Sequence, residues 1–327
     1  MQNEELRKAG LRLQFYWQAF SGILRPAMLA RMQNARFDKQ LLALSSAEQQ
    51  DLEARVDYYN KLDRNISLQA KPYDEKYLTE QIVRVGHFPR TKPSSYFLDL
   101  KRWLRGWQSQ QQFGYQFGDV TEVPEQPCFV KSRPITDHNQ NSVILKLDRF
   151  RHYYHLIDHV PIDRKKPQVV WRGALHNEGR ISMVSQYFDD PLFDVGAGVK
   201  SAELGPLQKP FMPMRSQLDY QFVLCPEGND VATNLKWVMA SNSIAVMPKP
   251  RYETWFMEGQ LEPGRHYIEV SDDYADAGEK IAYYVERPAL IKEMVAEAKH
   301  YRGGFENHSR EELLTYMVIK KYFSLVT

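Results

Sequence analysis

The sequence predicts an α/β protein of two domains, the second built on a mostly parallel sheet. Three observations carry that expectation. The chain has 327 residues, 43% of them hydrophobic, and above roughly 250–300 residues one core usually divides into two. From Pro167 onward, short β-branched runs alternate with segments of helix length, the rhythm of βαβ units. Neither an internal repeat nor a low-complexity tract interrupts that rhythm.

Taken in order, the first half is the irregular one. Residues 11–32, "LRLQFYWQAFSGILRPAMLARM", mix Phe, Trp, Leu and Met with Arg, as an interfacial helix does. Pro26 would break a long helix lying on a membrane, which favours a helix docked on its own core. "SSAEQQDLEARVDYYNKL" opens with a capping-box pattern, Ser46 with Gln49, and sets Leu52, Val56 and Tyr59 on one helical face. "SYFLDLKRWLRGWQ" reads as a further helix, and "PCFVKSRP" and "SVILKL" as strands. Residues 148–167 alternate His, Tyr, Asp, Arg and Lys and read as a surface connection between domains.

In the second half, "QVVWRG", "LFDVGAGV", "LDYQFVLCPEG", "SIAVMPKP" and "RHYIEVS" are expected as strands, with "EGRISMVSQYF" and "ATNLKWVMASN" as helices between them. Two helices split by Pro288 follow. A last helix takes Ser309 as N-cap, with Glu312 three residues on.

Composition excludes several classes of function. With 43 basic and 41 acidic residues the net charge of +2 lacks the excess that marks nucleic-acid binding, so an anionic ligand must be met locally. Cys128 and Cys225 lie in apolar runs without metal-ligand spacing, which favours buried thiols in a reducing compartment. No stretch approaches the ~20 apolar residues of a membrane span, and Arg and Gln interrupt the N-terminus too often for a signal peptide, so a cytoplasmic protein is expected. "VGAGVKSAELG" misplaces the third glycine of a dinucleotide fingerprint, and both the P-loop and the hydrolase G-x-S-x-G are missing. His152, His155 and His159 have a spacing that could hold a metal, but without a carboxylate motif beside them an interdomain surface is favoured.

Ligands of open α/β sheets sit at the carboxyl ends of strands. Three segments end there: "WRGALHNEGR", "CPEGNDVATN" and "MPKPRYETWF". A helix N-terminus in such a place suits phosphate, and Arg172 and Arg180 would complete a diphosphate site. Either arginine taken alone reads rather as an ordinary surface ion pair. The convergence of three loops is what favours the phosphate reading.

The segments "VVWRGALHNEGR" and "YQFVLCPEGNDVATNLKWVMASNSIAVMPKP", followed by "ETWFMEGQLEPGRHYIEVSDDYADAGEKIAYYV", resemble glycosyltransferase family ninety, the capsule-associated and protein O-glucosyltransferase-like family, and within it the bacterial lipopolysaccharide-core branch. The resemblance covers residues 110 to 305. It implies a GT-B fold: two Rossmann-like domains facing a cleft, the C-terminal one holding a UDP-sugar, and a last helix crossing back to the first domain. The expected boundaries are 1–165, 166–305 and 306–327. The family's donor-diphosphate motif is similar to Trp171, Arg172, Gly173 and Arg180, and its D-G-N loop with the following helix start to Glu227, Gly228, Asn229, Asn234 and Lys236. Glu227 lengthens the acid, and Asn234 stands where many relatives carry an arginine, so Lys236 or Arg180 must supply the missing cation. The family's catalytic base is an aspartate ahead of a strand. "GDVTEVPEQPCFVKSRP" has that layout, which makes Asp119 the candidate, with Glu122 and Asp137 behind it and a plain turn residue as the alternative.

The function implied is inverting transfer of a hexose from a UDP-sugar to a hydroxyl of lipopolysaccharide core or a related surface glycan. The resemblance implies no metal and no cofactor beyond the donor, because arginines and a helix N-terminus can meet the charge of departing UDP. The basic clusters "RFRHYYH" and "DRKKP" suit an anionic, lipid-anchored acceptor and a peripheral contact with the cytoplasmic face of the inner membrane, or are simply solvated surface. A phosphosugar hydrolase and a non-catalytic nucleotide- or glycan-binding module are the rival readings.

Overall fold

The computed structural model describes residues 27–69, 80–92, 94–149, 157–199 and 205–327, together with Gly10, Arg12, Leu13, Tyr16, Trp17 and Ser21. The chain forms two compact units. The first comprises Met1–Arg151, Tyr252–Trp255 and Asn307–Thr327, and the second His152–Arg251 and Phe256–Glu306.

In the first unit, helices α1 (Ala27–Leu42) and α2 (Ser46–Tyr59) precede strand β1 (Gln81–Arg84), helix α3 (Ser94–Leu104) and strands β2 (Gln112–Tyr115), β3 (Cys128–Val130), β4 (Ser132–Pro134) and β5 (Ser142–Ile144). Helix α2 is capped one residue earlier than expected. Ser45, not Ser46, takes the amide of Glu48, and the Glu48 carboxylate returns a bond to the Ser45 amide at 3.0 Å. The sheet runs β1-β2-β3-β5, antiparallel at its β1 edge and parallel elsewhere. It is thus a smaller, mixed sheet of short strands. Its core is aromatic: the Phe88 ring lies 5.2 Å from Phe113 and 5.0 Å from Tyr115.

Two later segments complete this unit. Strand β11 (Tyr252–Thr254) pairs antiparallel with β4, and the fully buried Arg133 reaches Glu253 at 2.8 Å. Helix α9 (His308–Leu325) buries Leu314, Val318, Ile319 and Tyr322. Its N-cap is Asn307, whose side chain accepts from the Arg310 amide, so Ser309 lies inside the helix. The Tyr322 hydroxyl accepts from the Gly114 amide at 2.8 Å and donates to the Pro127 carbonyl at 2.7 Å. Ile66 bridges to Val326.

The second unit is the alternating one. Its elements are β6 (Lys166–Gly173), α4 (Glu178–Tyr187), β7 (Phe193–Val199), β8 (Gln208–Pro210), α5 (Met214–Gln217), β9 (Tyr220–Leu224), α6 (Leu235–Met239), β10 (Ile244–Met247), β12 (Ile268–Glu269), α7 (Ala277–Val285) and α8 (Pro288–Gly303). All six strands are parallel, in the order β12-β10-β9-β6-β7-β8. Renumbered within the unit, that is the 3-2-1-4-5-6 order of the doubly wound Rossmann fold. Alternation along β6 explains why both faces are covered. Val169 and Trp171 pack with Met183, Val184 and Met294 on one side, while Val170 packs with Leu235, Val238 and Ala298 on the other. Pro288 begins α8 at its first turn, where a missing N–H costs nothing.

Cys128 and Cys225 are both free and buried. Burial pushes the Cys225 thiol far above its ordinary range, which keeps it protonated. No helix among the described residues is long and apolar enough to cross a membrane. His152, His155 and the "RFRHYYH" cluster from Phe150 onward lie outside the described residues, as does most of segment 11–26.

Candidate active site

In the six-stranded sheet the winding reverses between β6 and β9, since β7 and β8 follow on one side and β10 and β12 on the other. A crevice forms outside the carboxyl ends of strands at such a switch point. Three loops meet there: 174–177 after β6, 225–234 after β9 and 248–251 after β10.

Arg180 joins the first two loops. It stands in the first turn of α4, where Asn177 is the N-cap and accepts its amide at 2.9 Å. Its guanidinium donates to the carbonyls of Pro226 at 3.0 Å, Glu227 at 3.1 Å and Ala174 at 3.3 Å, and its Nη1 lies 3.3 Å from His176 Nδ1. No carboxylate among the described residues pairs with it. Burial draws its pKa below the usual arginine value, against a small opposing effect of Tyr274, yet a guanidinium remains charged. Asn177 Nδ2 adds a bond to the Gly228 carbonyl at 2.9 Å. A Cβ on Gly228 would lie 3.3 Å from His176 Nε2 and 3.4 Å from Arg180 Nη2, so a side chain there would crowd both side chains.

Glu227 joins the second loop to the third. Its two carboxylate oxygens accept from the Arg251 amide at 2.9 Å and from Arg251 Nε at 2.8 Å. Glu227 and Arg251 offset one another, whereas Arg180 has no carboxylate partner among the described residues; Lys249, exposed on the third loop, is a further cation at this crevice. Behind it, burial raises the phenol pKa of Tyr274 and keeps the group neutral; Cys225 and Glu227 reinforce that shift, while Arg180 and Arg251 oppose it. Asn229 is exposed on the second loop.

The remaining residues named from the sequence are used differently. Trp171 is buried under the crevice, with the Arg180 guanidinium 5.6 Å from its ring centre. A Cβ on Gly173 would fall 2.4 Å from that ring, so glycine at the strand end is what lets the indole lie flat along β6. Arg172 turns back over β7. It donates to the Asp194 carboxylate and to the Asp194 carbonyl, both at 2.6 Å, and to the Trp171 carbonyl at 3.0 Å. Burial raises the pKa of Asp194, but hydrogen bonds from Tyr220 and Arg172, with Lys209 behind them, outweigh it and hold the carboxyl at about 2. Asn234 donates to the Leu224 carbonyl at 2.7 Å, tying the end of the second loop to β9. Lys236 is buried in an ion pair with Glu258 at 2.7 Å, over the Phe256 ring.

Asp119 belongs to the first unit. It follows Gly118, whose φ of 99° only glycine adopts readily, in the loop after β2. β2 and β3 are parallel, so this loop too leaves the carboxyl edge of a sheet. Asp119 is 28% exposed, and its Oδ1 lies 2.7 Å from Nζ of Lys131, which is only 2% exposed. Glu122 and Asp137 are exposed.

Sequence reasoning missed His176, Asn177, Arg251 and Tyr274. Asn177 was readable as an N-cap ahead of a helix, and Arg251 ends a loop already singled out; Tyr274 joins the crevice only through the tertiary fold.

The fold and crevice define a Rossmann-type α/β protein with a locally cationic site at its switch point. Residues 149–327 match the sequence profile of glycosyl transferase family 90. The whole chain is similar to a protein of Dichelobacter nodosus described as "O-glucosyltransferase LpsA", 44% identical over 327 residues, 99% of this chain and 98% of that relative. The chain belongs to glycosyl transferase family 90 and is a glycosyltransferase.

Proposed function

We propose that the protein is an inverting hexosyltransferase of GT-B type that uses a UDP-sugar donor and a hydroxyl of lipopolysaccharide core or a related surface glycan as acceptor. The relative's description makes glucose the first donor to test. The carrying observation is Arg180: a fixed, partly buried cation with no counter-carboxylate among the described residues, at the switch point where Rossmann sheets take nucleotides. An anionic diphosphate there offsets the cost of that burial. As the glycosidic C–O bond to the donor phosphate breaks, charge grows on the leaving oxygen, and a preorganised guanidinium stabilises it without a rearrangement.

In this reading the second unit holds the donor and the first supplies the base. Asp119 accepts the proton of the acceptor hydroxyl as its oxygen attacks the anomeric carbon on the side opposite the departing UDP. The proton transfer is late, when the oxygen has become acidic, so an ordinary carboxylate suffices. Lys131 orients that carboxylate through Oδ1. Metal-independent turnover, with the protein cytoplasmic and working on a lipid-linked acceptor at the inner membrane, completes the proposal.

The test is calorimetric titration with UDP, UMP, GDP and ADP in the presence of chelator, followed by UDP-hexoses with truncated lipopolysaccharide. Selective UDP binding and chelator-resistant transfer are the expected results. A folded protein that binds none of the four nucleotides overturns the donor assignment.

A further inference from the structure

Helix α1 is apolar on two opposite sides. One side docks it: Ala30 and Phe37 are buried, and the Phe37 ring lies 5.1 Å from Tyr316 on α9. Asp38, the helix's single acidic residue, stands at the edge of that side and is tied to α9, accepting from Tyr316 Oη at 2.8 Å and Lys320 Nζ at 2.6 Å. A helix docked on a core needs one such stripe.

The other stripe faces away from α9. Met28, Met32, Ala35 and Leu42 recur at helical spacing on the opposite side, and all are exposed, Met28 at 72% and Leu42 at 88%. Arg31 and Arg36 flank the stripe on its two edges and Lys39 lies within it, all three exposed. None of these cations has a hydrogen bond or ion pair to another described residue; Asp38, seven residues on from Arg31 and so on the same edge, is held by Lys320 and Tyr316. A stripe of flexible methionine and leucine edged by long cationic side chains is the composition of a helix lying in a lipid headgroup layer, with apolar groups below and guanidinium groups level with phosphates.

We propose that the outward face of α1 is a membrane-contact surface that takes an anionic lipid bilayer. The surplus of cations selects the occupant: Asp38 is already paired with Lys320, so Arg31, Arg36 and Lys39 are left to complement negatively charged headgroups, which a zwitterionic surface does not offer. The inference is independent of the reaction proposed above, because vesicle binding requires no turnover.

The experiment is flotation of the full chain with phosphatidylglycerol-rich vesicles and with phosphatidylcholine vesicles, at low and raised salt. The wild type is expected to float with the anionic vesicles only, and less so at raised salt. Arg31→Gln with Arg36→Gln should weaken partitioning by about tenfold or more. Met28→Glu with Met32→Glu should abolish it, and Leu42→Glu should weaken it, with thermal melting unchanged in each. Three results would overturn the assignment: no partitioning of the wild type, equal partitioning of the Met28→Glu/Met32→Glu variant, or a concentration-dependent dimer that this variant dissolves without any effect on lipid. The last would make the face an interface between two copies of the chain.

Discussion

At the end of β6, Arg172 folds sideways onto Asp194 and is neutralised within the sheet, whereas Arg180, one loop later, reaches carbonyl oxygens and the His176 ring but no carboxylate among the described residues. The two arginines come from one short stretch, and local sequence does not distinguish them. Their neighbours do. Asp194 stands opposite Val170 on the adjacent strand, within reach of a side chain that bends back from Arg172. Arg180 sits where three strands have ended and backbone carbonyls are the acceptors at hand. A carbonyl orients a guanidinium without cancelling its charge, so one region spends its cation on the fold and the other keeps its charge uncancelled, as the proposed donor site requires.

The outer limit of this contrast is loss of chemistry with binding intact. Asp119→Asn should lower transfer by about 100- to 10,000-fold, because it removes the proton acceptor while an amide oxygen still meets Lys131. UDP affinity measured by calorimetry should stay within error; unchanged turnover would remove Asp119 from the mechanism. Next in size, Arg180→Ala should weaken UDP binding by about 1.5–3 kcal/mol, and UMP by less if the guanidinium meets the β-phosphate. Equal loss for both nucleotides would place the contact elsewhere.

Arg172→Ala should act in the opposite sense. It leaves Asp194 to Tyr220 and Lys209 and should cost about 2 kcal/mol of stability, read as a lower melting temperature, with a smaller effect on UDP than Arg180→Ala. A larger effect on UDP would break the comparison. The smallest expected effect is on pH dependence. The Asp194 carboxyl is held at about 2 in the folded protein against an ordinary value of 3.8, so its contribution is present above pH ~4 and is lost as pH falls from there toward 2. With partial exposure discounted, that contribution is about 1–2 kcal/mol. Melting curves across this range should show it, and Asp194→Asn should lack that step.

Much of the second unit was legible because its strands are buried on both sides and its helices are long enough to show a period, as β6 and α4 do. Caps were less so. Ser45 and Ser46 both fit the capping pattern, and the carboxylate of Glu48 wins over the amide of Gln49 as the acceptor for the N-cap N–H. Ser309 had the right spacing to Glu312, but Asn307 starts the helix a turn-fraction sooner. At the site, the loops that meet were readable from strand ends, while partners were not. Lys236 finds Glu258 and Arg172 finds Asp194 across tertiary distances that no local pattern encodes. The pairing of β11 with β4 is of the same kind.

The way α9 closes the first unit has a consequence for synthesis. Tyr322 holds Gly114 and Pro127 together, and Ile66 is bridged to Val326, so the earliest part of the chain is finished by residues 307–327. At roughly 5–20 residues per second on the ribosome, the first 151 residues stand incomplete for on the order of ten seconds, with their aromatic core open to water and to chaperones. The Rossmann unit has emerged whole by then, which reverses the usual order in which a polypeptide's domains mature.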